Sequence, residues 1–234
     1  VFSDAFPITA SVTVSAADDT AEGGTGSENL TEGSVEINET NFPDENFRNW
    51  ILAQNYGTDN VLTADEIAAV TKIIVSNKSI SDLKGIEYFT NITYLNCCNN
   101  NLTLLDVSQN TKIESLYCDS NQLKSLDVSK NTEIETLCCQ QNQLTSLDVS
   151  KNTKLKNFYC YENQLTSLDV SKNTKLSFLY CGSNNITSLN LTNNPQISNI
   201  SIADNPILSL DCGGAEPTLF ADSLYMFMVE DGNE

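Results

Sequence analysis

Cys97, Cys118, Cys139, Cys160 and Cys181 stand 21 residues apart with no slip. A period of this length marks a supersecondary unit that cannot bury its own apolar face, so successive units must stack on one another. Aligned on the cysteines, the unit reads L-x-x-L-x-C-x-x-N-x-L-x-x-L-D-V-S-x-N-T-x. One copy is Leu155, Phe158, Cys160, Asn163, Leu165, Leu168, Asp169, Val170, Ser171, Asn173 and Thr174. Ile200, Ile202, Asn205, Ile207, Leu210 and Cys212 continue the register, and Ile73, Val75, Ile80 and Leu83 precede it with one extra residue before Cys97.

This pattern matches the leucine-rich-repeat signature L-x-x-L-x-L-x-x-N-x-L, with Cys in one Leu place. The expected fold is an α/β repeat solenoid of mostly short parallel strands. Each unit supplies a strand such as Phe158 to Cys160, and neighbouring strands lie about 4.8 Å apart on a concave face. The second half of each unit echoes the first, so the convex side is predicted to be extended or partly strand, with no room for a long helix. The Asn column Asn100, Asn121, Asn142, Asn163, Asn184 and Asn205 is predicted to bond backbone groups that a tight coil would leave unpaired, as is the column Asn110, Asn131, Asn152, Asn173 and Asn194.

A solenoid must cover its ends. Residues 37–69 suit a small helical N-terminal cap: Pro43, Asp44 and Glu45 open one helix with Phe47, Trp50 and Ile51 on one face, and Thr63-Ala64-Asp65-Glu66 is a capping box for a second, with Ile67 and Val70 inward. Residues 70–212 are the repeats. Residues 213–234, with Leu219, Phe220, Leu224, Tyr225 and Phe227, read as a C-terminal cap or the start of a further domain. Residues 1–17 resemble the remnant of a secretory signal peptide, with Val14-Ser15-Ala16 as a small-x-small cleavage site. Residues 18–36 are acidic and Gly-rich, which predicts a flexible linker.

Charge and composition exclude whole classes of partner and reaction. With 31 acidic against 12 basic residues, the net charge is -19, the wrong sign for nucleic acid. There is no histidine, so the commonest general base and metal ligand is missing, together with the Ser-His and Cys-His nucleophile arrangements. No run approaches the roughly 20 apolar residues of a membrane span, so no membrane insertion is expected.

The repeats, together with the helical lead-in Asn41-Phe42-Pro43-Asp44-Glu45-Asn46-Phe47, resemble the internalin-like leucine-rich-repeat domains of secreted and surface proteins of Gram-positive and gut bacteria. That resemblance implies a secreted or cell-surface protein that serves adhesion or ligand binding and is not an enzyme. The chain holds no L-P-x-T-G wall-sorting motif, which leaves the manner of anchoring open.

Five groups of residues come into question as candidate sites. The outward face of the strands gathers Tyr117, Tyr159 and Tyr180 in the column before each cysteine, with Tyr94, Phe178, Asp119 and Tyr161 in the flanking columns. Half-exposed Tyr suits recognition of an extracellular protein or glycan, since the rings give contact area at little entropic cost. Ordinary β-propensity also places Tyr there, and a spacer that holds another domain off the cell wall is the alternative role. Asn55, Gly57, Asp59, Asn60, Leu62 and Glu66 fall at positions 1, 3, 5, 6, 8 and 12 of a degenerate EF-hand-like loop, which makes Asn55, Asp59 and Glu66 weak calcium candidates. The column Asp106, Asp127, Asp148, Asp169 and Asp211, broken by Asn190, is expected to accept local backbone N-H bonds beside Lys130, Lys151 and Lys172. The repeat cysteines and Cys212 are expected to be buried thiols, whereas Cys98 and Cys138 fall on outward positions and are expected to be exposed. A glycosidase-like carboxylate pair, Asp119 and Glu162, lies two turns apart on an open surface and offers no pocket.

Overall fold

The computed structural model describes residues 31–213 and 218–219. The signal-peptide remnant, most of the acidic linker and nearly all of the C-terminal segment lie outside the described residues. The linker's last residues are not free chain: β1 (Val35–Glu36) is paired antiparallel with β2 (Val61–Leu62), and Ile37 is buried beside them.

Between these strands runs α1 (Glu45–Leu52), with Asp44 as its N-cap. The Asp44 carboxylate works at both ends, because Oδ1 accepts from Phe47 N at 3.0 Å while Oδ2 accepts from Ser81 N and Oγ, both at 2.8 Å. Burial pushes its pKa up, but these bonds outweigh that and hold the carboxyl below the usual range. α2 (Ala64–Ala69) carries the predicted capping box between Thr63 and Glu66. Phe42, Phe47, Ile51 and Leu62 are fully buried in one cluster with Ile73, Ile86 and Phe89. Gly85 (φ 105°) is fixed by this packing, since a Cβ there would lie 2.1 Å from the Phe42 ring.

The repeats then coil. β3 (Lys72–Ile74), β4 (Tyr94–Asn96), β5 (Ser115–Tyr117), β6 (Thr136–Cys138), β7 (Asn157–Tyr159), β8 (Phe178–Tyr180), β10 (Asn199–Ser201) and β12 (Thr218–Leu219) form one eight-stranded parallel sheet. A short 3-10 turn, Ile86–Tyr88, precedes β4. On the far side the chain is extended but unpaired until β9 (Ser188–Asn190), which pairs in parallel with β11 (Ser209–Asp211). The strand side of each turn points two residues into the core, such as Leu137 with Cys139 and Phe158 with Cys160, all four fully buried, and the rest of the turn adds others such as Leu165 and Val170. At about 25 cal/mol per Å² of apolar surface, this continuous column is the main stabilising contribution.

After each strand the backbone must turn sharply. Asn99, Ser120, Gln141, Glu162, Ser183 and Asp204 all take left-handed conformations, with φ between 50° and 55°. For residues with a Cβ this costs about 1 kcal/mol each, and the following Asn offsets it. Asn142 Nδ2 donates to Cys118 O at 3.0 Å and Cys139 O at 3.1 Å, while its Oδ1 accepts from Leu123 N at 2.9 Å. Each ladder Asn thus ties its own bend to the turn before. The second ladder is bonded less completely: Asn152 Nδ2 donates to Val128 O and Asn131 O, but Oδ1 of Asn110, Asn131, Asn152, Asn173 and Asn194 is buried without a partner.

Candidate functional site

The strand register places three outward columns on the sheet. The first runs Lys72, Tyr94, Ser115, Thr136, Asn157, Phe178 and Asn199, and the second runs Ile74, Asn96, Tyr117, Cys138, Tyr159, Tyr180 and Ser201. Just past the strands the backbone bonds continue, Asn99 N to Asp119 O and Gln141 N to Tyr161 O, which sets Cys98, Asp119, Gln140 and Tyr161 in a third column. All seven residues singled out from the sequence, Tyr94, Tyr117, Asp119, Tyr159, Tyr161, Phe178 and Tyr180, are half-buried on this face.

The rings gather into pairs. Tyr94 and Tyr117 lie 5.3 Å apart and tilted by 36°, and Tyr159 stacks on Tyr180 at 5.1 Å and 20°. Lys72 Nζ sits 4.5 Å above the Tyr94 ring. The 21-residue period does not set this lysine opposite Tyr94, because the first turn carries an extra residue that shifts its register. Between the two pairs stands Cys138, in register with Tyr117 on one side and Tyr159 on the other.

That placement corrects an expectation. Cys138 is only 6% exposed, because a thiol is much smaller than the flanking rings that close over it. Burial pushes its pKa up to about 12, with Asp119 and Cys98 adding to the shift. Cys98 remains partly exposed, and all eight cysteines are free thiols. Cys97, Cys118, Cys139, Cys160 and Cys181 are fully buried, as expected, while Cys212 is only half-buried. Thiols in such surroundings stay protonated and unreactive.

Asp119 carries the electrostatics of the face. Burial raises its pKa, against bonds from its own backbone N-H and the Ser120 hydroxyl. Tyr117, Tyr159 and Tyr161 are all raised, chiefly by burial. Glu162 does not pair with Asp119: it stands two turns away and accepts from Gln141 Nε2 of the turn between at 3.0 Å.

Other sequence candidates are satisfied locally. Asp59 Oδ1 accepts from Val61 N, Glu66 Oε2 accepts from Thr63 N and Oγ1, and Asn55 is exposed. Among the described residues no group of three or more His, Cys, Asp or Glu is placed to hold a metal ion. In the edge column, Asp127, Asp148 and Asp169 each accept from the Ser N two residues on at 2.8 Å, and these bonds lower their pKa values. Asn190 makes the same bond to Thr192 N. A cleft of about 350 Å³ lies beside it, lined by Ser167, Asp169 and Asn193, far round the coil from the Tyr face.

No family model matches the chain. Over 72 residues, 30% of the chain, it is 42% identical to internalin J of Listeria monocytogenes serotype 4b, and the match spans 8% of that protein's length. The crystal structure of internalin C2 from Listeria monocytogenes superposes with a TM-score of 0.70 at 20% identity, covering 82% of this chain and 98% of that one. Internalin F of the same species superposes with a TM-score of 0.65 at 23% identity, covering 75% and 57%. Among the described residues no helix is long and apolar enough to cross a membrane. Repeat, ladder, helical lead-in and relatives agree that the chain carries an internalin-like leucine-rich-repeat domain.

Proposed function

We propose that this domain is a secreted or cell-surface recognition module that binds an extracellular protein or glycan on its strand face without catalysing a reaction. One observation carries this reading: from turn to turn the outward strand residues change while the rest of the unit repeats. Asn96, Tyr117, Cys138, Tyr159 and Tyr180 occupy one column, whereas Asp106, Asp127, Asp148 and Asp169 occupy another. A scaffold needs the repetition; a surface that meets an irregular partner needs the variation. Paired Tyr rings supply rigid contact area with a polar tip, as in other binding surfaces. The helical segment 37–69 covers the first turn in this reading.

The test is an array of glycans and extracellular proteins probed with the chain and with a Tyr117→Ala, Tyr159→Ala, Tyr180→Ala variant of unchanged melting profile. Binding that disappears in the variant supports the reading. Binding that persists, or no binding at all, makes the Tyr columns scaffold and favours a spacer domain.

A further inference from the structure

Asp119 is the one carboxylate in the three outward columns among the described residues, and Lys72, the one cation there, is already engaged with Tyr94. The ion pairs among the described residues join Arg48 to Glu39, Lys154 to Glu133 and Lys156 to Glu135, so none involves Asp119. Its side-chain contact is the Ser120 hydroxyl at 3.5 Å, a long bond for a carboxylate. One register step along the same column, Gln140 holds its Oε1 buried with no hydrogen-bond partner. Adjacent strand positions are about 4.8 Å apart, so the two residues are neighbours in the column, and the Gln140 side chain also bonds Tyr161. Tyr117 lies two residues from Asp119 on the same face, and Tyr161 follows Gln140 in the column. The negative charge reaches these rings as well as Cys98 and Cys138, raising each beyond what burial does alone.

A partly desolvated carboxylate, an unfilled amide acceptor and aromatic rings together lack a donor that carries positive charge. A neutral sugar would stack its C–H face on the rings and donate hydroxyls but bring no charge to offset the carboxylate, whereas an ammonium or guanidinium suits all three components. The net charge of -19 would further steer a basic partner toward the chain. We propose that Asp119 is the cation-receiving point of the strand face, taking a lysine or arginine side chain presented by a protein partner, with Gln140 as second acceptor and Tyr117 and Tyr161 alongside. This rests on the strand face being the recognition surface.

Short random peptides displayed on phage and selected against the full chain test it, with the recovered peptides synthesised and titrated calorimetrically. Enrichment in Lys or Arg is expected. Affinity should fall about tenfold or more in Asp119→Asn, which keeps the fold, and hold in Asp148→Asn, which removes an equal charge from the opposite edge. Selection against Asp119→Lys should return acidic peptides instead. If recovered peptides depend on Tyr117 and Tyr159 but ignore Asp119, the cation site is wrong and the strand face stands. Peptides indifferent to all three residues overturn both. Recovery of no binder, of peptides lacking basic residues, or of binding to neutral oligosaccharides that Asp119→Asn leaves intact also overturns the cation site.

Discussion

The strand face and the opposite edge of the coil are built from the same 21-residue unit, yet they treat a carboxylate in opposite ways. On the edge, Asp127, Asp148 and Asp169 are exposed, each accepts one backbone N-H, and each titrates below the usual range. On the strand face, Asp119 is half-buried, poorly bonded, and titrates above it. The edge asks the same thing of every turn, closure of a bend, so the same residue answers each time. The strand face asks nothing of the fold at its outward positions, and there the residues differ.

The largest effect expected from this division lies beneath both surfaces. Asn142→Ala would leave the buried Leu123 N without its acceptor and take one of two ladder donors from each of Cys118 O and Cys139 O, which keep Asn121 and Asn163, and should lose about 3 kcal/mol in urea titration. Asn152→Ala should lose less, about 2 kcal/mol, since only its amide donates. Equal losses would show that the unpartnered oxygens of the second ladder carry hidden bonds.

Next comes Cys139→Ser, which puts a hydroxyl into a fully buried apolar column and should lose about 2 kcal/mol, while Cys139→Ala loses less. Native-state thiol labelling should reach Cys98 and Cys212 first and leave Cys138 and the five repeat cysteines until the chain unfolds. Fast labelling of Cys138 would mean that the Tyr117 and Tyr159 rings swing clear of it.

Tyr159→Ala removes a stacked pair at the surface and should lose about 1 kcal/mol. A loss as large as that of Asn142→Ala would make the Tyr column part of the scaffold after all.

The smallest effect is in pH. Edge carboxylates with lowered pKa values contribute stability above the usual carboxylate range, and that contribution is lost as pH falls through their folded values. Asp119, with its raised value, takes up a proton in the folded state first, which removes its burial cost. Asp119→Asn should therefore not lower stability at neutral pH, whereas Asp148→Asn should flatten the acid limb of the stability curve. Asn190, which bonds Thr192 N as the aspartates bond their serines, shows that the turn itself survives that change.

Much of this was legible in the sequence because a fixed period determines which residues point inward. The buried cysteines, both Asn ladders and the seven residues of the outward face follow from it, while the Asp44 and Thr63 caps follow from local helix-start signals. What escaped depends on neighbours the period does not encode. Cys138 holds an outward position yet is covered, because both flanking turns happen to carry Tyr. Val35 and Glu36 look like linker until Val61 and Leu62 supply a partner strand. Gln140 has no distinguishing sequence signal; only its uncompleted bonding draws notice.

The ladders also make the turns interchangeable. Asn152 reaches Val128 O and Asn131 O as Asn173 reaches Val149 O and Asn152 O. Excision of residues 132–152 would carry Asn173 onto Val128 and Asn131, and bring Tyr159 beside Tyr117 where Cys138 now stands. Such a splice needs no new solution to the fold, so gene duplication and deletion can lengthen, shorten or respell this surface one whole turn at a time.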